Sequence, residues 1–144
     1  MRVTSEVRIA RPADEVFAFI ADAENNPTWQ DGMRSCRWVT EPPIAVGSRY
    51  AQHASFVGRD IESLFEVVAL EPDRSITIET IESTFPIRVT RSVEPVGEGS
   101  CLVRAGVSGE PGGLFRFASP LLKRMVRRSV RNDYARLVEK LEAG

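Results

Sequence analysis

The sequence predicts an α+β fold in which a seven-stranded antiparallel sheet wraps a long C-terminal helix, with two short helices after the first strand. Three observations predict it. From Leu114 to Leu141 the chain has no glycine and one proline, Pro120, and its apolar residues recur at helical spacing. Upstream, one set of turn residues after another puts the apolar positions of successive strands on a common face. Between these regions the pattern alternates with period two rather than 3.6, as strands require.

Taken in order, Arg2 to Ile9 is the first strand, with Val3, Val7 and Ile9 on one side and Arg2, Glu6 and Arg8 on the other. Pro12 opens a short helix with Asp14 and Glu15 against its positive N-terminal end, and Val16, Phe17 and Ile20 as its buried face. Asn25-Asn26-Pro27 ends or restarts it, Trp29 follows, and a strand runs from Met33 to Thr40 until Glu41-Pro42-Pro43 breaks it. A turn around Val57-Gly58-Arg59 joins the strands 48–56 and 60–69. It puts Tyr50, Gln52, Ala54 and Phe56 on the side of Ile61, Ser63, Phe65 and Val67. Pro72-Asp73 adds Ile76, Ile78 and Thr80 to that face, since proline presets the first central position of a turn. Gly97-Glu98-Gly99 predicts a three-residue hairpin loop aligning Val103, Ala105 and Val107 with Ile87, Val89, Arg91 and Val93. Gly109, Pro111, Gly112 and Gly113 then release the final helix, about 40 Å long at 1.5 Å per residue, with Pro120 near a kink or a second start. Its inner row is expected to be Leu122, Val126, Val130, Tyr134 and Val138, with Leu121, Met125, Leu137 and Leu141 beside it.

With 144 residues the chain is read as one domain, spanning 1–144. Net charge is −1, but the stretch 114–141 carries eight basic and two acidic residues, so the helix is cationic and the remainder acidic. Arg2, Glu6 and Arg8 interrupt the N-terminus before the apolar core of a leader could form, and no apolar run reaches membrane-spanning length. The isolated Cys36 and Cys101 are expected to be reduced core thiols in a cytoplasmic protein. One histidine and two unpaired cysteines leave nothing from which to build a metal site, and no cofactor is expected.

Several local motifs then resemble one family. Ile9-Ala10-Arg11-Pro12-Ala13-Asp14-Glu15-Val16-Phe17 is similar to the strand-to-helix entry of the START-like helix-grip superfamily, in particular its polyketide cyclase/dehydrase (SRPBCC) family. Asp22, Asn26, Pro27 and Trp29 follow in that family's spacing. Val46-Gly47-Ser48-Arg49-Tyr50 opens the third strand and Val93-Glu94-Pro95 closes the sixth. The resemblance covers essentially the whole chain. It implies a cavity between sheet and helix for an apolar or amphipathic small molecule, with Trp29 at its mouth. Aromatase/cyclases and lipid or quinone carriers both occur in such a family, and fold alone does not choose between them.

Residue by residue, Arg91 carries the most information, because a guanidinium on an apolar inward face must find an acceptor. A ligand carboxylate, enol or carbonyl oxygen is one partner; an internal salt bridge or a solvated rim is the other account. Tyr50, Gln52 and Ser63 would add hydrogen-bonding groups to a pocket made apolar by Phe56, Phe65, Val89 and Met125. Arg91 and Tyr50 are the candidate catalytic groups. His53 falls on the outer face across from Glu62, where a surface pair explains it. The expected function is binding of an apolar or amphipathic small molecule. A cyclase/dehydratase ranks second because no carboxylate is expected on the inner face to act as base. A lipid or quinone carrier docking through the basic helix face (Lys123, Arg124, Arg127, Arg128, Arg131) ranks third. A solvated face is the ordinary account of such a cluster; no nucleic-acid partner and no membrane contact are expected.

Overall fold

The computed structural model describes residues 2–56, 58–109 and 119–144. Strand β1 is Arg2–Ile9, followed by helix α1, Ala13–Ala21, and a 3-10 helix, Ala23–Thr28. Strands β2 (Met33–Trp38), β3 (Arg49–Phe56), β4 (Arg59–Glu71), β5 (Ser75–Glu82), β6 (Ile87–Pro95) and β7 (Cys101–Gly109) precede the long helix α2, Ser119–Ala143. The strands form one antiparallel sheet in the order β1-β7-β6-β5-β4-β3-β2, curled around α2, so the predicted α+β class and helix-grip arrangement are the observed ones.

The register follows from the turns. Tyr50 pairs with Phe65, Gln52 with Ser63 and Ala54 with Ile61, across a two-residue connection of residue 57, which lies outside the described residues, and Gly58. Asp73 takes a left-handed φ of 62° in the tight β4–β5 connection, where an Asp side chain is tolerated. Arg91 faces Ala105 and Val93 faces Val103, as the glycine turn after β6 requires. A bulge between Val67 and Ala69 re-aims β4, so that Leu70 rather than Ala69 packs against the core. Gly32 is needed for its shape: it has φ 81°, and a Cβ there would lie 2.5 Å from the Ser55 carbonyl oxygen.

Buried residues from β1, α1 and the concave sheet face make one core with Tyr134 and Leu137 of α2, while Leu122 and Val126 pack on Val3 in a smaller cluster. The far end of α2 is tied down by Arg11, whose Nε donates to the Leu141 carbonyl at 2.8 Å.

One expectation about α2 is corrected, the place of Leu121 and Met125 beside the inner row. The described helix begins at Ser119, which puts Pro120 near a helix start, one of the two places the sequence allowed it. Residues 114–118, the predicted start, lie outside the described residues, as do Pro111, Gly112 and Gly113. The predicted inner row is observed: Leu122, Val126 and Tyr134 are buried, and Val130 and Val138 pack partly buried against the core, whereas two of the residues placed beside it turn outward. Leu121 is 59 % and Met125 37 % exposed. Each residue advances about 100° around a helix of 3.6 residues per turn, so Leu121 and Met125, each one position before a buried residue, turn off the contact. The buried stripe runs Leu122, Val126, Asp133, Tyr134, Leu137, and leaves Leu121 and Met125 on the outer flank.

Candidate functional site

Between the concave face and α2 lies a cavity of about 190 Å³. Its apolar wall includes Phe56, Ile61, Phe65, Ile78, Val89 and Val126. Its polar groups include Gln30, Tyr50, Gln52, Ser63, Arg91 and Asp133. An apolar cavity of about 150 Å³ accepts benzene, so this one matches a single substituted ring and is smaller than the usual drug-sized pocket of roughly 300 Å³ or more.

Arg91 reaches this space because β6 alternates, with Val89, Arg91 and Val93 inward. It is 7 % exposed, yet among the described residues it pairs with no carboxylate. Its Nε donates to the Tyr134 hydroxyl at 3.0 Å, and its Nη1 to the Ile20 carbonyl at 3.3 Å and to Asn26 Oδ1 at 3.5 Å. The guanidinium carbon stands 5.2 Å from the centre of the Trp29 ring, which in turn meets Tyr134 edge-on at 4.9 Å. A guanidinium keeps its charge in proteins. The result is a buried cation held by neutral acceptors, neither the salt bridge nor the solvated rim that sequence allowed.

Tyr50 stacks on Phe65 with ring centres 5.1 Å apart and takes the edge of Trp38 at 5.2 Å. Its hydroxyl has no hydrogen-bond partner among the described residues. Burial raises its pKa, only partly countered by the nearby Arg91 charge, so it stays protonated and able to donate. Gln52 and Ser63 are partly engaged: Gln52 Oε1 accepts from Cys36 at 3.7 Å, and the Ser63 and Ser83 hydroxyls share a hydrogen bond at 2.7 Å. Burial pushes the Cys36 thiol up to about 11, which makes it inert. Both cysteines are free and buried, as expected.

The group that sequence reasoning missed is Asp133. It sits on the buried stripe of α2 and lines the cavity, where its Oδ1 accepts the Asp31 backbone N–H at 3.1 Å and a hydrogen bond from Arg136. Neither bond uses Oδ2. Burial pushes the carboxyl up to about 6, against the lowering effect of the Asp31 N–H and Arg136. Arg136 also donates to the Trp29 carbonyl at 3.1 Å, so this cluster fixes the loop after the 3-10 helix to α2. A signal was available: Asp133 follows Val126 by seven residues and Val130 by three, the spacing of one helix face. Asn26 and Gln30 were also missed, and the side-chain Nε2 of Gln30 is buried on the cavity wall without a partner among the described residues. Thus the inner face does hold a carboxylate, contrary to expectation.

Of the nine residues proposed from sequence to bind ligand, Tyr50, Gln52, Phe56, Ser63, Phe65, Val89 and Arg91 line the cavity together. Trp29 does not lie at its mouth. It is 2 % exposed and packed beneath Arg91, because the 3-10 helix carries it inward against α2. Met125 is outside for the helical-phase reason given above. His53 is on the outer face opposite Glu62, and its Nε2 is 3.6 Å from Asp60. Among the described residues no group of three or more His, Cys, Asp or Glu side chains could hold a metal.

The family model for polyketide cyclase/dehydrase and lipid transport proteins matches residues 1–142. No curated protein matches the sequence. Among solved structures, the protein TTHA0849 of Thermus thermophilus is similar with a TM-score of 0.85 at 18 % identity, over 99 % of this chain and 98 % of that one. The Zhui aromatase/cyclase of Streptomyces sp. R1128 gives 0.78 at 15 %, over 99 % and 93 %. Norcoclaurine synthase of Thalictrum flavum, solved with dopamine and hydroxybenzaldehyde, gives 0.66 at 15 %, over 97 % and 87 %. At these identities the likeness is one of fold.

Proposed function

The chain belongs to the polyketide cyclase/dehydrase and lipid transport family, and we propose that it binds an amphipathic molecule of about one ring between sheet and helix, with an oxygen acceptor turned toward Arg91. The observation that carries this reading is the buried guanidinium on the cavity wall, whose protein partners are all neutral. A cation removed from water without an anion is costly, and a ligand carboxylate, enolate or polarised carbonyl supplies the missing charge. Phe65, Val89 and Ile78 contribute apolar burial of the ring, at about 25 cal/mol per Å². Gln30 Nε2 is a donor without a partner among the described residues on the same wall, and the Tyr50 hydroxyl is a second donor there. The volume argues against an intact acyl chain or a fused polycycle as the occupant, and the two one-ring compounds in the norcoclaurine synthase structure agree with that scale.

Titration calorimetry with benzoate, benzyl alcohol and 2-naphthoate tests this. Benzoate should bind best, and Arg91→Met should weaken it more than about tenfold. Equal affinity for benzyl alcohol, or unchanged benzoate binding in the variant, overturns the assignment.

Asp133 favours a second reading, the cyclase/dehydratase. A carboxyl with a pKa of about 6 and an unengaged oxygen on the cavity wall suits a general base near neutral pH. In that chemistry Asp133 takes a proton from the carbon beside a carbonyl, the resulting enolate oxygen is stabilised by Arg91, and Tyr50 returns a proton. Exchange of the α-hydrogens of a cyclic 1,3-diketone for deuterium, followed by NMR, should be catalysed by the wild type and fall more than about a hundredfold in Asp133→Asn. Exchange at the same rate in the variant removes the reading while leaving the binding one intact.

A further inference from the structure

The displacement of Leu121 and Met125 from the core has a use. We propose that the outer face of α2, from Leu121 to Arg131, docks on an anionic lipid bilayer. Within this stretch stand Lys123, Arg124, Arg127, Arg128 and Arg131, with no acidic residue from 119 to 132. The four arginines are exposed, and none of the five cations makes an ion pair or hydrogen bond with a described residue. Some surface arginines elsewhere are paired: Arg49 holds Glu66, Arg88 holds Glu79, and Arg104 holds Glu6 and Glu94. Five cations within the nine residues 123–131, with no carboxylate among them, concentrate positive charge on this face.

What distinguishes this face from an ordinary solvated one is its apolar edge. Leu121 and Met125 are one turn apart, and Arg124 and Arg128 flank them at the same spacing. A nucleic-acid backbone or a purely acidic protein surface would satisfy the arginines and leave these two side chains in water. A bilayer interface satisfies both, because phosphate headgroups meet the guanidinium groups while Leu and Met reach the acyl boundary. The inner side of the same helical turns, Val126 and Val130, is a wall of the cavity. Docking would then bring that cavity within about one helix diameter, roughly 10–12 Å, of the headgroups. The proposal does not depend on what the cavity holds.

Co-sedimentation of the full chain with phosphatidylcholine vesicles, with and without about a third of phosphatidylglycerol, tests it. Binding should require the anionic lipid and weaken steeply with salt. Each cation near a charged surface contributes enough that the triple reversal Arg124→Glu, Arg127→Glu, Arg128→Glu should lower binding more than about tenfold. Leu121→Ser with Met125→Ser should lower it severalfold without changing the melting temperature, since neither residue is in the core. Equal pelleting with pure phosphatidylcholine, retention by either variant, or displacement of the protein from vesicles by an equal mass of duplex DNA each overturns the proposal.

Discussion

Replacing Asp133 by Asn should stabilise the protein at neutral pH, and only there. The carboxyl is buried between α2, the Asp31 loop and the cavity, and burial raises its pKa from 3.8 to about 6. A carboxyl whose pKa is raised on folding is held protonated more tightly in the native state than in the unfolded chain. Native stability therefore falls as pH rises from about 4 to about 6, and the full penalty stands above about 6. At about 1.36 kcal/mol per pH unit, that rise amounts to about 3 kcal/mol. Asn keeps an oxygen to accept the Asp31 N–H but loses the charged pair with Arg136, whose side chain is 42 % exposed. The attraction to Arg136, worth no more than about 1 kcal/mol, is already contained in that raised pKa. The net gain is about 3 kcal/mol, or roughly 6–12 °C in melting temperature for a domain of this size. Thermal melts of both proteins at half-unit steps from pH 3.5 to 8 provide the assay. The curves should coincide near pH 3.5, separate through pH 4–6, and run parallel above. Parallel curves throughout, or a variant less stable at pH 7.5, would refute the burial argument.

The buried stripe of α2 predicts a contrast between neighbours. Leu122→Ala should cost about 2–4 kcal/mol in urea unfolding, whereas Met125→Ala should cost less than about 0.5 kcal/mol; equal losses would put Met125 back on the buried side. Gly32→Ala should destabilise by at least about 2 kcal/mol, because it combines a left-handed φ of 81° with a Cβ 2.5 Å from the Ser55 oxygen; a neutral result in the same assay would show that this loop relaxes. Tyr50→Phe removes a hydroxyl without a protein partner among the described residues, so stability should change by less than about 1 kcal/mol while benzoate affinity falls severalfold by calorimetry. A large stability loss would assign the hydroxyl a partner within the fold.

Much of the sheet was legible because its information is local. Alternation has a period of two, and each turn residue sets the parity of the next strand, so Tyr50, Phe65, Val89 and Arg91 could be placed on one face without reference to distant contacts. The inward Arg91 was visible on the same ground. The long helix was harder, since several apolar rows run along it and the choice among them depends on the surface it meets. The i+4 row through Leu122, Val126 and Tyr134 is the observed contact, but its flank was misjudged: the buried face takes in Asp133 and leaves Leu121 and Met125 outside. Trp29 could be recognised as a large aromatic following a short helix, but its position under Arg91 depends on how the 3-10 helix is pressed against α2.

By itself the sequence determined the fold class, the strand register and which side chains of the strands face inward, because these follow from short-range steric and solvation preferences repeated along the chain. Only the tertiary structure decided how α2 is rotated over the sheet, that Arg91 is held by Tyr134, Ile20 and Asn26 rather than by an anion, and that Asp133 shares its cavity. Those features depend on residues 43 to 102 positions apart meeting at hydrogen-bonding distance. The free energy of such a meeting belongs to packed, dehydrated surroundings that no local stretch of chain contains.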